Sequence, residues 1–495
     1  MALQREPVSE THGRPVGPFL VGIDCGTQSA KVVVYDAAGT AVARGQQVLR
    51  PMERPRHGVV RHPDDDLWTA VVTASRRALE QFRAAGGDEV DIVGVGLCPI
   101  RCCKAFLDAD GELVEPVMSW MDDHAYRPYL PESGATRWAT TASGHLAHRF
   151  TGRFRDTAAN NIELQWPIDT DTWQWSDDPA AYERHGISRD LLVELQLPGE
   201  VIGPLTEAAA LATGLPAGVP VVQTANDKAV EMLGSGSLGE TTALVSLGTY
   251  IAAMVHGTVN HREPQHFWTN FASIPHRYLY ESNGVRRGMW TLTWFLDLLG
   301  DELAERAVSL GLSREEYLER EAATVPAGSD GLMIVLDWLA PTDKPFRKGM
   351  MLGFDARHTR GHVYRSIMEA IALTMKFHVD AMCTELGIVL DEVVVSGGGS
   401  HSPLFMQVFA DVFGITASRA VGAGGASLGS AICAAVATGV HPDWESAVAA
   451  MAAPRESFAP DAANGAVYRQ MADTVYHSIR DATDTLFERA YPIFN

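Results

Sequence analysis

Residues 24 to 29, Asp24-Cys25-Gly26-Thr27-Gln28-Ser29, gather a carboxylate, two hydroxyls and a run of backbone N–H groups at one turn. Glycine at 26 lets the main chain approach an anion closely, consecutive amides can form an anion-binding nest, and Asp24 can hold a hydrated magnesium ion. An ordinary β-turn with a capping aspartate has the same composition. A second copy, Ser246-Leu247-Gly248-Thr249, stands in the second half of the chain, and such repetition argues for two related lobes facing each other across a phosphate. Further on, Ser396-Gly397-Gly398-Gly399 precedes Ser402-Pro403, which has the residue choice of a helix N-cap and first helical position. A strand, a glycine turn and a helix start would put amides and a helix dipole beside a nucleotide phosphate. The small residues from Gly422 to Gly429 open another helix that a flat adenine or ribose could approach.

The elements that must hold these residues follow from apolar periodicity. Strand-like runs flank both turns, at 19–35 and 242–255, so each forms a hairpin. A further strand is expected at 40–48. Leu67, Val71, Ala74, Ala78 and Phe82 have helical spacing behind the acidic cap Asp64-Asp65-Asp66. Buried strands are expected at 90–97, 219–224 and 391–395, the second ending in Ala225-Asn226-Asp227-Lys228. Residues 124–200 read as an irregular helical insertion. A long helix is expected from Val363 to Cys383, where Met368, Met375 and Met382 fill core, and a C-terminal helix at about 463–490. Alternation of strands and helices makes the class α/β.

With 495 residues, 46% of them hydrophobic and 20% charged, the chain is long enough for two packed domains. The division expected is a flexible tail at 1–17, an N-terminal lobe at 18–236 and a C-terminal lobe at 237–495. The formal charge of 40 − 61 = −21 argues against nucleic acid or an anionic membrane as partner, while leaving a small anionic ligand open. No apolar run is long enough to span a bilayer, and the first residues lack a hydrophobic signal core, so a cytoplasmic protein is expected. Six cysteines, two of them adjacent at 102 and 103, suit reduced thiols.

Taken together, these motifs resemble the FGGY carbohydrate kinases, which include glycerol kinase, xylulokinase and ribulokinase. Asp24-Cys25-Gly26-Thr27 is similar to the family's first phosphate hairpin, Ala225-Asn226-Asp227-Lys228 to the segment with its catalytic aspartate, and Ser246-Leu247-Gly248-Thr249 to the second hairpin. Arg347-Lys348-Gly349 through Gly353-Phe354 resembles its second diagnostic region, and Ser396 to Ser402 its nucleotide glycines. The resemblance implies two actin-like, ribonuclease H-like lobes, each a mixed sheet flanked by helices, around a central cleft. It implies transfer of a phosphoryl group from MgATP to a hydroxyl of a sugar or polyol, and a homodimer. Asp227 would be the general base and a metal contact, with Asp24 holding Mg2+ through water. Gly26, Thr27, Gln28, Ser29, Gly248, Thr249, Gly398, Gly399 and Ser402 would hold ATP. Arg101, Cys102, Trp120, Asp122 and Lys228 would line the acceptor side. Asp227 as a helix cap and Arg101 as a surface ion-pair residue are the structural alternatives.

The chain departs from the family on the acceptor side. Cys102 stands where glycerol kinases have glutamate and xylulokinases histidine, the segment after Asp122 is shorter, and the Glu-Arg-Thr-Pro motif is absent near Leu336 to Pro341. The acceptor is therefore left open among pentoses, ketoses, deoxysugars and polyols. Chaperone ATPases, actin-like filament proteins, polyphosphate phosphatases and a non-catalytic ATP-binding regulator share such lobes. A chaperone would need an added peptide-binding domain.

Overall fold

Phe19–Cys25 and Ser29–Asp36 pair antiparallel, Phe19 opposite Asp36 and Cys25 opposite Ala30, and the chain returns as Ala41–Val48 on the outer side. The computed structural model describes residues 15–128, 134–248, 250–341, 343–421 and 425–494. On its other side Phe19–Cys25 runs parallel to Ile92–Pro99, which is parallel to Pro220–Gln223, and Val201–Pro204 closes the six-stranded sheet. Parallel neighbours need both faces covered. Side chains alternate accordingly: Val21 and Ile23 pack with Leu67, Val71 and Phe82 of the helix Asp66–Ala84, while Leu20 and Tyr35 pack with Leu428 and Ile432. That second cover, the helix Ala426–Ala437, arrives from the far end of the chain. It lies so close that a side-chain carbon at Gly22 would be 1.8 Å from the Ser427 carbonyl oxygen.

The second sheet repeats the order. Thr242–Leu247 pairs antiparallel with Ile251–Gly257 and parallel with Glu392–Ser396, which is parallel to Thr416–Ala420. Tyr278–Ser282 and Phe267–Phe271 extend one edge and Arg455–Phe458 the other, giving seven strands. The long helix Arg360–Leu386 and the helix Pro403–Phe413 pack in its apolar core. The architecture is α/β, with two sheet-and-helix lobes.

Three local expectations change. Asp65 occupies the N-cap position of Asp66–Ala84 but caps nothing; its carboxylate meets His145 and Arg149, because a charged partner outcompetes a neutral amide. Residues 124–200 are not chiefly helical: among the described ones, short strands such as Trp138–Thr141 and Arg155–Thr157 alternate with the helices Ala142–Thr151 and Pro179–His185. The C-terminal helix is two, Ala462–Thr474 and Ile479–Phe494, broken at Val475. All six cysteines are free and buried. No helix among the described residues is long and apolar enough to cross a membrane.

Candidate active site

Asp227 is the first residue of the helix Asp227–Gly234, and the cap is its neighbour: Asn226 Oδ1 accepts from the Ala229 amide at 3.2 Å. The capping role considered for Asp227 is thus filled, and its carboxylate is free for other work. The segment before it is tied down on every side. Thr224 Oγ1 donates to the Leu97 carbonyl at 2.8 Å, Asn160 Nδ2 donates to the Thr224 carbonyl at 3.0 Å, and Asn226 Nδ2 donates to the Ala159 carbonyl at 3.1 Å. Beneath them the buried Asp156 accepts from Thr141 Oγ1 at 2.7 Å, the Thr157 amide at 2.8 Å and Gln223 Nε2 at 2.9 Å. Burial raises its pKa, and the Thr141 hydroxyl and Thr157 amide work against the rise. Asp227 Oδ1 itself is buried without a hydrogen-bond donor, while its side chain remains 32% exposed.

Arg101 is the cation nearest that oxygen, its Nε 3.5 Å from Asp227 Oδ1. Its two terminal nitrogens form a fork with Glu281, both contacts at 2.8 Å, and its guanidinium stands 5.1 Å from the Trp268 ring centre. Arg101 follows the strand Ile92–Pro99 of the first sheet, whereas Glu281 belongs to Tyr278–Ser282 of the second. The ion pair considered as the structural alternative for Arg101 is present, but as a buried bridge between lobes and not at the surface, and Glu281 is 0% exposed. Burial opposes the charge of Arg101, and Glu281 outweighs it. Sequence reasoning missed Glu281; the available signal was an acid inside the apolar strand Tyr278–Ser282.

On the other side of the same helix, Lys228 Nζ donates to Ser246 Oγ at 2.5 Å and meets Glu231 at 3.3 Å. Glu231 also accepts from Ser246 Oγ at 2.8 Å and from Ser396 Oγ. Burial disfavours both charges, but Lys228 stays above its usual value because Glu231 and Asp227 outweigh it, and Glu231 stays below its own because of Lys228 and the two hydroxyls. Glu231 was also missed in the sequence, where it reads as a helix-surface residue.

The first hairpin turn is closed by the Gly26 amide on the Ser29 carbonyl at 3.1 Å. Thr27 Oγ1 accepts from Trp120 Nε1 at 3.3 Å, Ser29 Oγ from Gln46 Nε2 at 3.1 Å, and Gln28 is exposed. No described residue donates to the Asp24 carboxylate, whose pKa burial lifts to about 6, helped by Asp227 and Glu231 and opposed by Lys31 and Lys228. No three metal-ligating side chains gather among the described residues, so a magnesium ion at Asp24 would complete its shell with water and phosphate oxygens, a set the lone carboxylate fits. In the second hairpin Gly248 lies near Lys228, and Thr249 falls outside the described residues, as do residues 422–424.

At the glycine turn the conformational demand falls on Gly397, at φ 85° with its α-carbon facing the Leu247 carbonyl; a side-chain carbon there would be 2.6 Å from that oxygen. Gly398 borders open space and Gly399 is buried against Leu247 and Met289. Ser402 Oγ accepts from the Phe405 amide at 3.0 Å, so this hydroxyl serves as the N-cap of Pro403–Phe413.

Two acceptor-side candidates have structural surroundings of their own. The Asp122 carboxylate accepts from the Val60 amide at 2.7 Å and the His124 amide at 2.8 Å, which makes it a buried clamp between loops. Cys102 has a positive φ of 62°, and burial pushes its thiol up to about 11, so it is a neutral thiol beside Arg101 and Tyr126. Arg347 is held by Asp484 of the C-terminal helix at 2.7 Å.

Residues 19–129 match the N-terminal domain of the FGGY family of carbohydrate kinases, and residues 243–438 match its C-terminal domain. The chain is 43% identical to the uncharacterized sugar kinase YgcE of Escherichia coli K12 over 96% of each chain. It is 25% identical to the autoinducer-2 kinase of Klebsiella pneumoniae over 92% of this chain and 93% of that one. Xylulose kinase from Rhodospirillum rubrum shares the fold with a TM-score of 0.78, at 22% identity, over 95% of this chain and 100% of that one. Its lobes are thus of the actin-like, ribonuclease H-like kind. A repeated hairpin, an aspartate mounted at a strand end and both matched domains lead to one conclusion: the chain belongs to the FGGY family of carbohydrate kinases, phosphotransferases that act on sugar hydroxyls.

Proposed function

We propose that this protein transfers the γ-phosphoryl group of MgATP to a hydroxyl of a sugar or polyol bound beside Arg101 and Asp227. The observation that carries the assignment is Asp227 Oδ1, buried without a donor and 3.5 Å from Arg101 Nε. The side chain still keeps 32% of its surface exposed, and that face of the carboxylate can receive a proton from an acceptor hydroxyl. Asp227 takes that proton as the hydroxyl oxygen bonds to the γ-phosphorus and the bond to the bridging oxygen of ADP breaks. Arg101, held by the Glu281 fork, holds the Asp227 carboxylate in place from 3.5 Å. Magnesium, when bound, neutralises phosphate charge, and Asp24 would hold its water shell. Gly26, Thr27, Ser29 and Gly248 border the two turns that would receive the phosphates, and Gly398 the space for the nucleotide.

The test is coupled ADP release with MgATP against polyols, pentoses, ketoses and sugar acids. Asp227→Asn is expected to lower kcat by about 10² to 10⁴-fold while ADP affinity stays within about twofold of wild type, as a group that meets only the acceptor requires. Near-normal turnover by this variant would remove Asp227 from the role of base.

A further inference from the structure

Resting on that kinase reading, we propose that Lys228 belongs to the phosphate donor and not to the acceptor: its ammonium contacts the transferring γ-phosphoryl group, and Glu231 is the residue that positions it. Asp227 and Lys228 leave the same helix in different directions. Asp227 faces Arg101 of the first lobe, whereas Lys228 reaches Ser246, two residues before the Gly248 turn of the second. A side-chain carbon built on Gly248 would be 3.9 Å from Lys228 Nζ.

Glu231, one turn along, accepts from Ser246 and Ser396, which are register partners on adjacent parallel strands. Those strands end at Gly248 and Gly397, the two turns of the second lobe with phosphate-binding character. The pair therefore sits where both turns open. Lys228 and Glu231 keep only 13% and 15% of their side-chain surface exposed. Desolvating two charges is costly, and a neutral amide would bind a sugar hydroxyl at lower cost. A dehydrated cation at a phosphate turn instead gains strength as charge builds on the phosphoryl oxygens. An ammonium has three donors. Ser246 and Glu231 are the acceptors it meets among the described residues, which leaves one donor for a phosphate oxygen.

The experiment compares binding of Mg-ADP with that of the Mg complex of β,γ-methylene-ATP by calorimetry, and needs no acceptor. Lys228→Met alone would strand Glu231, so the double variant Lys228→Met/Glu231→Gln, which removes both charges, is measured beside it. Loss of one charge-assisted contact is expected to weaken the analogue by about 10- to 100-fold in both variants, with ADP affinity within about twofold. Glu231→Gln alone should lower kcat without changing the KM of the acceptor. Equal weakening of both nucleotides, or of neither, in the folded double variant overturns the proposal. Failure of the wild-type protein to bind either nucleotide would instead remove the kinase reading, and this proposal with it.

Discussion

Asp24 carries the clearest titration at the site, because burial brings its carboxyl to about 6 and no described residue donates to it. Below that pH the carboxyl is protonated and cannot hold a cation; above it the anion is available. If Asp24 holds the proposed magnesium, protons and the metal compete for one group. The magnesium concentration for half-maximal ADP release is expected to rise by about tenfold per pH unit below 6 and to level off above 7, with the dependence lost in Asp24→Asn. A magnesium requirement that is flat from pH 5 to 7.5 would take Asp24 out of the metal site. Arg101 and Glu281 make a second residue-scale prediction. Glu281 has no exposed surface, so Arg101→Met leaves a buried charge unpaired and should destabilise the fold by about 3–5 kcal/mol in denaturant titrations. Arg101→Met/Glu281→Gln should recover most of that loss but not activity, since the companion of Asp227 is still missing.

Among the elements, the strand Pro220–Gln223 and the helix Asp227–Gly234 matter most, because the link between them aims Asp227, the proposed base. Asp156 is the keystone of that link through Gln223 and Thr157. Asp156→Ala would leave buried donors unsatisfied, at a cost of about 1–3 kcal/mol, and should lower kcat while sparing ADP affinity; Asp156→Asn should retain more of both. Both hairpins, the long helix and the Ser402 cap were legible in the sequence, because apolar alternation, glycine turns and capping residues are local signals. Of the candidate site, the sequence named Asp24, Arg101, Asp227 and Lys228, which lie within electrostatic reach of one another through Asp227 and Lys228. Their directions were not legible. Lys228 and Glu231 have the spacing of a solvent-facing helix pair, and only the neighbouring strand ends at Ser246 and Ser396 make them a buried one. Residues 124–200 misled because their short strands are ordered by tertiary contacts, such as buried Trp173 against Phe271, and not by periodicity.

At the scale of the whole molecule, two helices cross between the sheets and bring their backbones into contact. Asp227–Gly234 carries the proposed base and reaches the second sheet through Glu231, while Ala426–Ala437 covers the first sheet although it follows the second in sequence. Local periodicity names no partner, so this crossing could not be read from the chain. Glycines permit it: a side-chain carbon at Gly429 would be 2.0 Å from the Val230 carbonyl oxygen, and one at Gly234 would be 2.2 Å from that of Gly425. Main chain stands on both sides, so neither clash can be relieved by turning a side chain. Gly429→Ala must push the helices apart, at a cost of about 1–3 kcal/mol despite the better helix propensity of alanine. Because Asp227 and Lys228 ride on the displaced helix, ADP release should fall as well, more than the loss of folded protein explains. Turnover per folded molecule, with the folded fraction taken from denaturant titration, measures this. Wild-type turnover at wild-type stability in Gly429→Ala would mean that the crossing does not hold the base in register with the phosphate turns.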